Sequence, residues 1–500
     1  MRSVPGGVSV ALALWLASAS CGEPGSTPEP GTAPTLAITS VDVVDVEAGS
    51  ILPDRTVLVA QDRIVGVLDG PTPELPPGAQ VIDGEGLYAI PGLWDMHVHM
   101  VNDVNTLVPW DVHVPEPGDA DSREIYMPVY LAFGVTGTRE MSGGLASLEL
   151  RRRIEEGEIL GPHMVVGSPL LDGGVPTFPE GAHILIDGPE EARAVVDSLH
   201  AAGFDFLKPY SLLLPETYRA LVERARELGM PVSGELPVTV SAWEAAERGQ
   251  RTVEHLTGLE FAASTREEEL RAEYLARLRA LNADPTPSAD EAFDIWHRSE
   301  WEPFESLDPR KEVRLFRHLA DHDTWVVPTL VVQRMISHAD DPAVADDPDF
   351  RYIDPWSRDL EALRDDFDPQ RRLRAVHDHR LRIIDDLHDA GVGIMAGSDT
   401  PGGFTLLEEL ELFVASGLTP LEALRTATLN PARYLGREDE LGTIAPGRIA
   451  DVVLLRGDPL RDIGNVRAIE TVIFQGHVLD RAELDRMLAQ LEVDAANWPE

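Results

Sequence analysis

Apolar and polar residues alternate at both ends of the chain. Leu36–Val46 (LAITSVDVVDV), Arg55–Leu68 (RTVLVAQDRIVGVL) and Gln80–Ile90 carry the period of two expected of half-buried strands, with turn residues between them. Near the other end, Ala450–Leu455 (ADVVLL) and Ala468–Phe474 (AIETVIF) repeat the pattern, and Gly476 supplies the following turn. Two β-rich ends around a long middle predict one small β domain built from residues 36–90 and 431–480. A C-terminal helix or tail follows over 481–500.

The middle has a different rhythm. Short apolar runs predict eight strands: Leu93–His99, Val135–Glu140, Met164–Pro169, Phe204–Tyr210, Val232–Glu235, Thr252–Leu256, Trp325–Leu330 and Gly393–Asp399. Helical stretches separate most of them. Pro189–Ala202 and Pro215–Leu228 open with proline and acidic residues, the signal of a helix start. Eight strand–helix units predict an α/β fold of the (β/α)8 type over residues 91–430. Residues 259–320 and 333–390 are long, charged and helical, and are expected as insertions over the barrel mouth. No repeat of 20–50 residues is visible.

Charge narrows the partners. There are 86 acidic residues against 42 basic ones, a net charge of -44, which excludes nucleic acid or an anionic membrane as a bulk electrostatic partner. Only two of the basic residues are lysine, Lys208 and Lys311. A lysine kept inside an apolar strand of such a chain is a candidate for chemistry that arginine cannot perform. At the N-terminus, Arg2 and the apolar run Val8–Ala17 read as a signal peptide over residues 1–20, too short for a permanent span. Cys21 is the single cysteine, so no internal disulfide can form. Standing directly after Ser18-Ala19-Ser20, it resembles the lipidated cysteine of a bacterial lipoprotein, although Ser18 replaces the usual leucine. A plain secretory peptide is the alternative. Residues 21–35 are rich in Gly, Pro, Ser and Thr and suit a flexible tether. The expected location is periplasmic or cell-surface, with the membrane met only through a lipid anchor.

The chemistry is expected at the C-terminal ends of the predicted strands. His97 and His99, two apart on a strand, point to one side. Lys208 follows the apolar run Phe204–Leu207; a buried, neutral amine can take up CO2 as a carbamate, an anionic oxygen ligand. Glu254-His255-Leu256 and Gly397-Ser398-Asp399-Thr400 end two further strands. Oxygen and nitrogen donors on four strands suit Zn2+, with Mn2+, Co2+ or Fe2+ as alternatives.

These segments carry a resemblance. Ile90–His99 (IPGLWDMHVH), Gly134-Val135-Thr136, Phe204–Tyr210, Thr252–Leu256, Trp325–Leu330 (WVVPTL), Ala396–Thr400 and the tail motifs ATLNPARYLG, LGTIAPGRIADVVLL and GDPL resemble the amidohydrolase superfamily, in the branch of imidazolonepropionase-like enzymes and metal-dependent Xaa-Pro dipeptidases. The resemblance implies a barrel joined to a β-sandwich and hydrolysis at a centre of one or two divalent metals. It implies that His97, His99 and Asp399 hold a first metal. Lys208, as a carbamate, would bridge to a second, which His255 would also bind. A metal-activated hydroxide would attack the carbonyl, with Asp399 as general base and then acid.

One position departs from that pattern: Glu235 stands where a histidine is expected. It could ligate the second metal, pair with an uncarbamylated Lys208, or mark a lost second site. Among weaker candidates, Arg139 could clamp a substrate carboxylate or form a salt bridge, and Tyr210 could polarise a carbonyl or pack in the core. His183 could approach the mouth, with a surface position the favoured expectation. His318, His322, His377, His379 and His388 are expected on solvated helix faces.

The expected function is hydrolysis of amides, small peptides or cyclic amides. An esterase or lactonase on the same site is one alternative, and an inactive small-ligand-binding surface lipoprotein another. Oligomeric state is left open. If Cys21 carries lipid, the exported protein partitions with membranes and Cys21→Ala releases it to the soluble fraction. A wild-type protein wholly soluble after export would remove the anchor.

Overall fold

The computed structural model describes residues 33–70, 74–100, 127–177, 183–352, 359–368, 371–400 and 402–496. The expected signal peptide, Cys21 and nearly all of the tether lie outside the described residues. The front of the chain forms β1 (Leu36–Asp45), β2 (Ser50–Ala60), β3 (Arg63–Asp69), β4 (Gln80–Asp83) and β5 (Tyr88–Pro91). The middle forms β6 (Leu93–Val98), β7 (Val135–Glu140), β8 (His163–Asp172), β9 (His183–Leu185), β10 (Phe206–Pro209), β11 (Ser233–Gly234), β12 (Thr252–Glu254) and β13 (Trp325–Val327). Near the end come β14 (Val452–Leu455), β15 (Ile469–Phe474) and β16 (His477–Asp480).

Both chain ends contribute to one eight-stranded sheet, in the order β16-β15-β14-β5-β1-β2-β3 with β4 beside β1. The seam is β14 against β5, antiparallel, with Val453 opposite Ile90. Ile38, Val57, Ile64, Ala89, Val452 and Ile473 share an apolar core of this sheet. The stretch Arg55–Leu68 is not one strand. It folds back at Gln61-Asp62, where Gln61 has φ +55°, and Ala60 pairs with Arg63. A two-residue turn keeps the alternation in step on both sides, so the pattern alone does not reveal it.

The strands of the middle are parallel. β6, β7, β8 and β10 follow one another, with β9 on β8, and β11, β12 and β13 form a second parallel group. Parallel bridges link Leu207 with Val232 and Val326 with Ile394. β6 and β7 are buried at every position, so both faces are covered, and their polar residues Asp95, His97, Arg139 and Glu140 must find partners inside. The expected strand Gly393–Asp399 is irregular instead. Its donors are split: Met395 N–H reaches the Val326 carbonyl at 3.0 Å and Asp399 N–H the His97 carbonyl at 2.8 Å, but Ala396 N–H goes to the Thr426 carbonyl and Ser398 N–H to Asp95 Oδ1 at 3.0 Å.

Helices cover these strands. Pro189–Ala202 and Pro215–Leu228 stop at Gly203 and Gly229, whose φ values of 90° and 70° lie in the left-handed region that glycine enters without cost. The insertions supply Glu267–Ala283, Ala289–Trp301 and Pro309–Asp321, and then Leu330–Ser337 and Leu373–Asp389. Ser288 and Asp308 cap two of them by accepting from the Glu291 and Arg310 amides. Phe261, Tyr274, Leu278 and Ile295 give the first insertion an apolar core that also takes in Leu212.

Trp94 on β6 pairs across to Gly137 on β7, and a Cβ at 137 would sit inside the Trp94 indole. Gly137→Ala is therefore expected to destabilise the protein by about 1–3 kcal/mol through overpacking. Urea or thermal unfolding checks this; an unchanged midpoint would mean that the buried indole moves aside freely.

Candidate metal centre

Four strand ends converge at the centre. His97 is fully buried on β6. Its Nδ1–H donates to Glu254 Oε2 at 2.8 Å, which leaves Nε2 as the lone-pair nitrogen. That nitrogen is buried, has no hydrogen-bond partner among the described residues, and lies 3.5 Å from Asp399 Oδ1. Glu254 ends β12 and also accepts from Arg139 Nη2 at 2.7 Å. Burial works against an ionised Glu254, but the Arg139 charge and the His97 hydrogen bond override it and hold the carboxyl well below its usual range.

The chain then turns sharply. His255 and Leu256 have φ values of 59° and 61°, and this left-handed turn brings the His255 ring to 4.5 Å from the His97 ring. His255 Nδ1 lies 2.7 Å from Thr329 Oγ1 and 3.7 Å from Asp399 Oδ2, while Nε2 lies 3.6 Å from Glu235 Oε1. Burial pushes its pKa down to about 4, so the ring is neutral and able to ligate. Asp399 also has a positive φ, 55°. Burial alone would raise its pKa, yet His97, His255 and His99 hold it far below the usual carboxylate range. His97, His255 and Asp399 each offer a ligand atom within 4.8 Å of the others. His99 Nε2 lies 3.1 Å from Asp399 Oδ1.

Lys208, at the end of β10, is 1% exposed, and its N–H donates to Ser168 Oγ at 2.9 Å. Its charge acts on Glu235, without a close ion pair between the two. Glu235 instead faces His255 and accepts from Ser211 Oγ at 2.8 Å. Burial pushes its pKa up to about 7, against the pull of Lys208.

Three other expectations narrow or change. Arg139 takes the salt-bridge alternative rather than the clamp. It is fully buried, with Nε on the Met96 carbonyl at 2.7 Å and Nη2 on Glu254, because a guanidinium without solvent must be paired. The His183 ring is buried edge-on against Tyr210, 5.6 Å between centroids. Among the helical histidines, His377 is buried, His379 lies 2.8 Å from Glu312, and His318 packs on Trp243, whereas His322 is exposed. Tyr210 itself borders the site, and burial, followed by Glu235, holds its pKa well above the usual value.

A cavity of about 150 Å3 opens above this floor of Tyr210, Glu235, His255 and Asp399. The insertions wall it, with Trp296 and Glu300 from one and Ile336, Val376 and Arg380 from the other. Sequence reasoning missed Glu254 as the partner of His97, and Asp95, which accepts from Ser398 Oγ at 2.6 Å and ties down the residue before Asp399. Asp95 shares the strand face of His97, a signal that was available. Nothing along the chain marks Arg380, Glu260 and Glu300 as one cluster.

The model of the amidohydrolase family matches residues 88–479. The chain belongs to the amidohydrolase family. This is the family whose motifs the sequence resembles. Ochratoxinase of Aspergillus niger is 40% identical over 94 residues, which are 18% of this chain and 20% of that protein. The chain thus matches about a fifth of the length of that relative. Dihydroorotase of Pelotomaculum thermopropionicum is 28% identical over 395 residues, 76% of this chain and 80% of that protein. Among solved structures, a Xaa-Pro dipeptidase with bound methionine is similar in fold, with a TM-score of 0.63, 18% identity, and coverage of 89% of this chain and 99% of that one.

Arg139→Met would strand the buried Glu254 charge. The expected outcome is a loss of about 3–5 kcal/mol in stability, with weaker metal retention. A substrate clamp would instead raise KM and leave the unfolding midpoint where it was.

Proposed function

We propose that this family member is a metal-dependent hydrolase of C–N bonds in amides, small peptides or cyclic amides, working at the mouth of a closed (β/α)8 barrel. The observation that carries the reading is the convergence of His97 Nε2, His255 and Asp399 within 4.8 Å at the floor of a cavity. The parallel bridges at Leu207–Val232 and Val326–Ile394, with Met96 N–H on the Ala396 carbonyl at 2.9 Å, support closure of the barrel. The apolar core inside the eight-stranded sheet supports its folding over as the sandwich.

The donors fit a divalent ion. The orphaned, buried Nε2 of His97 has a neutral ring behind it and a carboxylate in front. His97, His99 and Asp399 would hold one ion, with His255 within reach. His255, Glu235 and a carbamylated Lys208 would hold a second. The N/O set suits Zn2+. When bound, such ions polarise a carbonyl and make water acidic near neutral pH. The protein does the rest. Glu254 and Arg139 keep the His97 lone pair turned inward. Asp399 accepts the water proton and returns it to the leaving nitrogen. Tyr210 and the insertion helices enclose the substrate. Export and lipidation at Cys21 belong to the same proposal, as does a small-molecule or small-peptide substrate.

Metal analysis of the purified mature protein should find at least one tightly held ion per chain, and two if Glu235 is a ligand. Chelation should stop hydrolysis of N-acyl amino acids, dipeptides or their C-terminal amides, whichever the parent cuts, and Zn2+ should restore it. Asp399→Asn should cost about 100-fold or more in kcat; activity within tenfold of the parent would remove Asp399 from proton transfer. Glu235→His should raise occupancy of the second site. A parent holding one ion, unchanged by that substitution, would overturn the ligand role of Glu235.

A further inference from the structure

The outer wall of the cavity has a charge pattern of its own. Among the described residues that line the cavity, Arg380 is the one lysine or arginine. It is 3% exposed and already bound. Its Nε and Nη2 hold Glu260 at 2.7 and 3.1 Å, Nη2 also reaches Glu300 at 2.9 Å, and Nη1 reaches Gln333 Oε1 at 3.0 Å. Two buried carboxylates therefore face one guanidinium, and the fork that would grip a carboxylate is taken. His377 adds no positive charge, because burial and the neighbouring His338 push its pKa down to about 3. Glu300 borders both the cavity and an adjoining space beside Glu235, and its charge is felt at Glu235. Trp296, Val332, Ile336, Leu373 and Val376 form the apolar part of the lining, beside Thr257 and Gln333.

Resting on the C–N hydrolase reading of the floor, we infer that the cavity takes substrates with a bulky apolar group and a neutral or cationic end, and rejects those that bring a carboxylate against Glu300 and Arg380. An incoming carboxylate would have to displace Glu300 from Arg380 and leave that buried acid unpaired. An ammonium or amide N–H finds an acceptor in Glu300 at no such cost. The apolar wall supplies the area for affinity, with Trp296 as its largest surface.

Four compounds with the same Leu–Phe peptide bond separate the possibilities: the free dipeptide, its C-terminal amide, its N-acetyl form, and the N-acetyl amide. Binding is read by calorimetry on the metal-loaded full chain, and kcat/KM is measured alongside. Each amide is expected to bind and turn over about 100-fold better than its free-acid counterpart. Glu300→Gln should narrow that gap to about tenfold or less. Trp296→Ala should weaken all four by about tenfold and leave their ratios alone. The parent protein alone decides the main point, so a misfolded variant does not shield the proposal. Equal or tighter binding of the free acids overturns it, and so does binding of none of the four. If the amides bind preferentially but no bond is cut, the selectivity stands and the hydrolase reading falls. If the free acids are cut preferentially, the hydrolase reading stands and the selectivity falls.

Discussion

Arg139, Glu254 and His97 lie where water does not reach, and all three are fully buried. A buried charge is tolerated only when it is paired and hydrogen-bonded. The chain meets that demand by running a guanidinium on β7 into a carboxylate at the end of β12 and that carboxylate into an imidazole on β6. The relay ties three strands at one depth and orients one ring. Asp399, whose N–H is bound to the His97 carbonyl, is held from the same strand end. The geometry of the floor therefore depends on the relay more than on any group that faces the cavity.

Sequence reading reached the parts of this arrangement that repeat along the chain. His97 and His99 show because a strand has a period of two, and Lys208 shows because lysine is nearly absent elsewhere. The same reading failed where a residue's role depends on a partner more than a hundred positions away. Glu254 beside His255 looks like a strand end and nothing more; its partners are His97 and Arg139. Arg139, read either as a clamp or as a salt-bridge partner, is consumed by the same pairing. The strand expected over Gly393–Asp399 failed for a related reason: Asp95 captures the Ser398 N–H that a ladder would have used.

The insertions were legible as helices over the mouth, but not which of their side chains pair there. Ala289–Trp301 and Leu373–Asp389 each show mixed apolar and charged faces, and such faces do not say which partner neutralises which charge. His377 looked solvated among Asp378, His379 and Arg380, yet the helix buries His377 and Arg380, three apart, on one side. Arg380 then meets Glu260, from the short helix after β12, and Glu300, from the other insertion helix.

That meeting gives the site two layers with different dependencies. The floor is set by strands, the buried relay and positive-φ turns at His255 and Asp399, where a small shift would move a ligand atom. The wall is set by helices, and the first insertion has an apolar core around Phe261, Tyr274, Leu278 and Ile295. The His97–Glu254–Arg139 chain makes its pairs below that wall, whereas the buried charge of Glu300 in the wall acts on Glu235 in the floor. A covalent link between them is Glu260, which leaves the end of β12 only six residues after Glu254 and pairs with Arg380 in the wall. One short segment, 254–260, thus carries both the acid that orients the floor and the acid that neutralises the wall. A change within that segment would therefore act on floor and wall together.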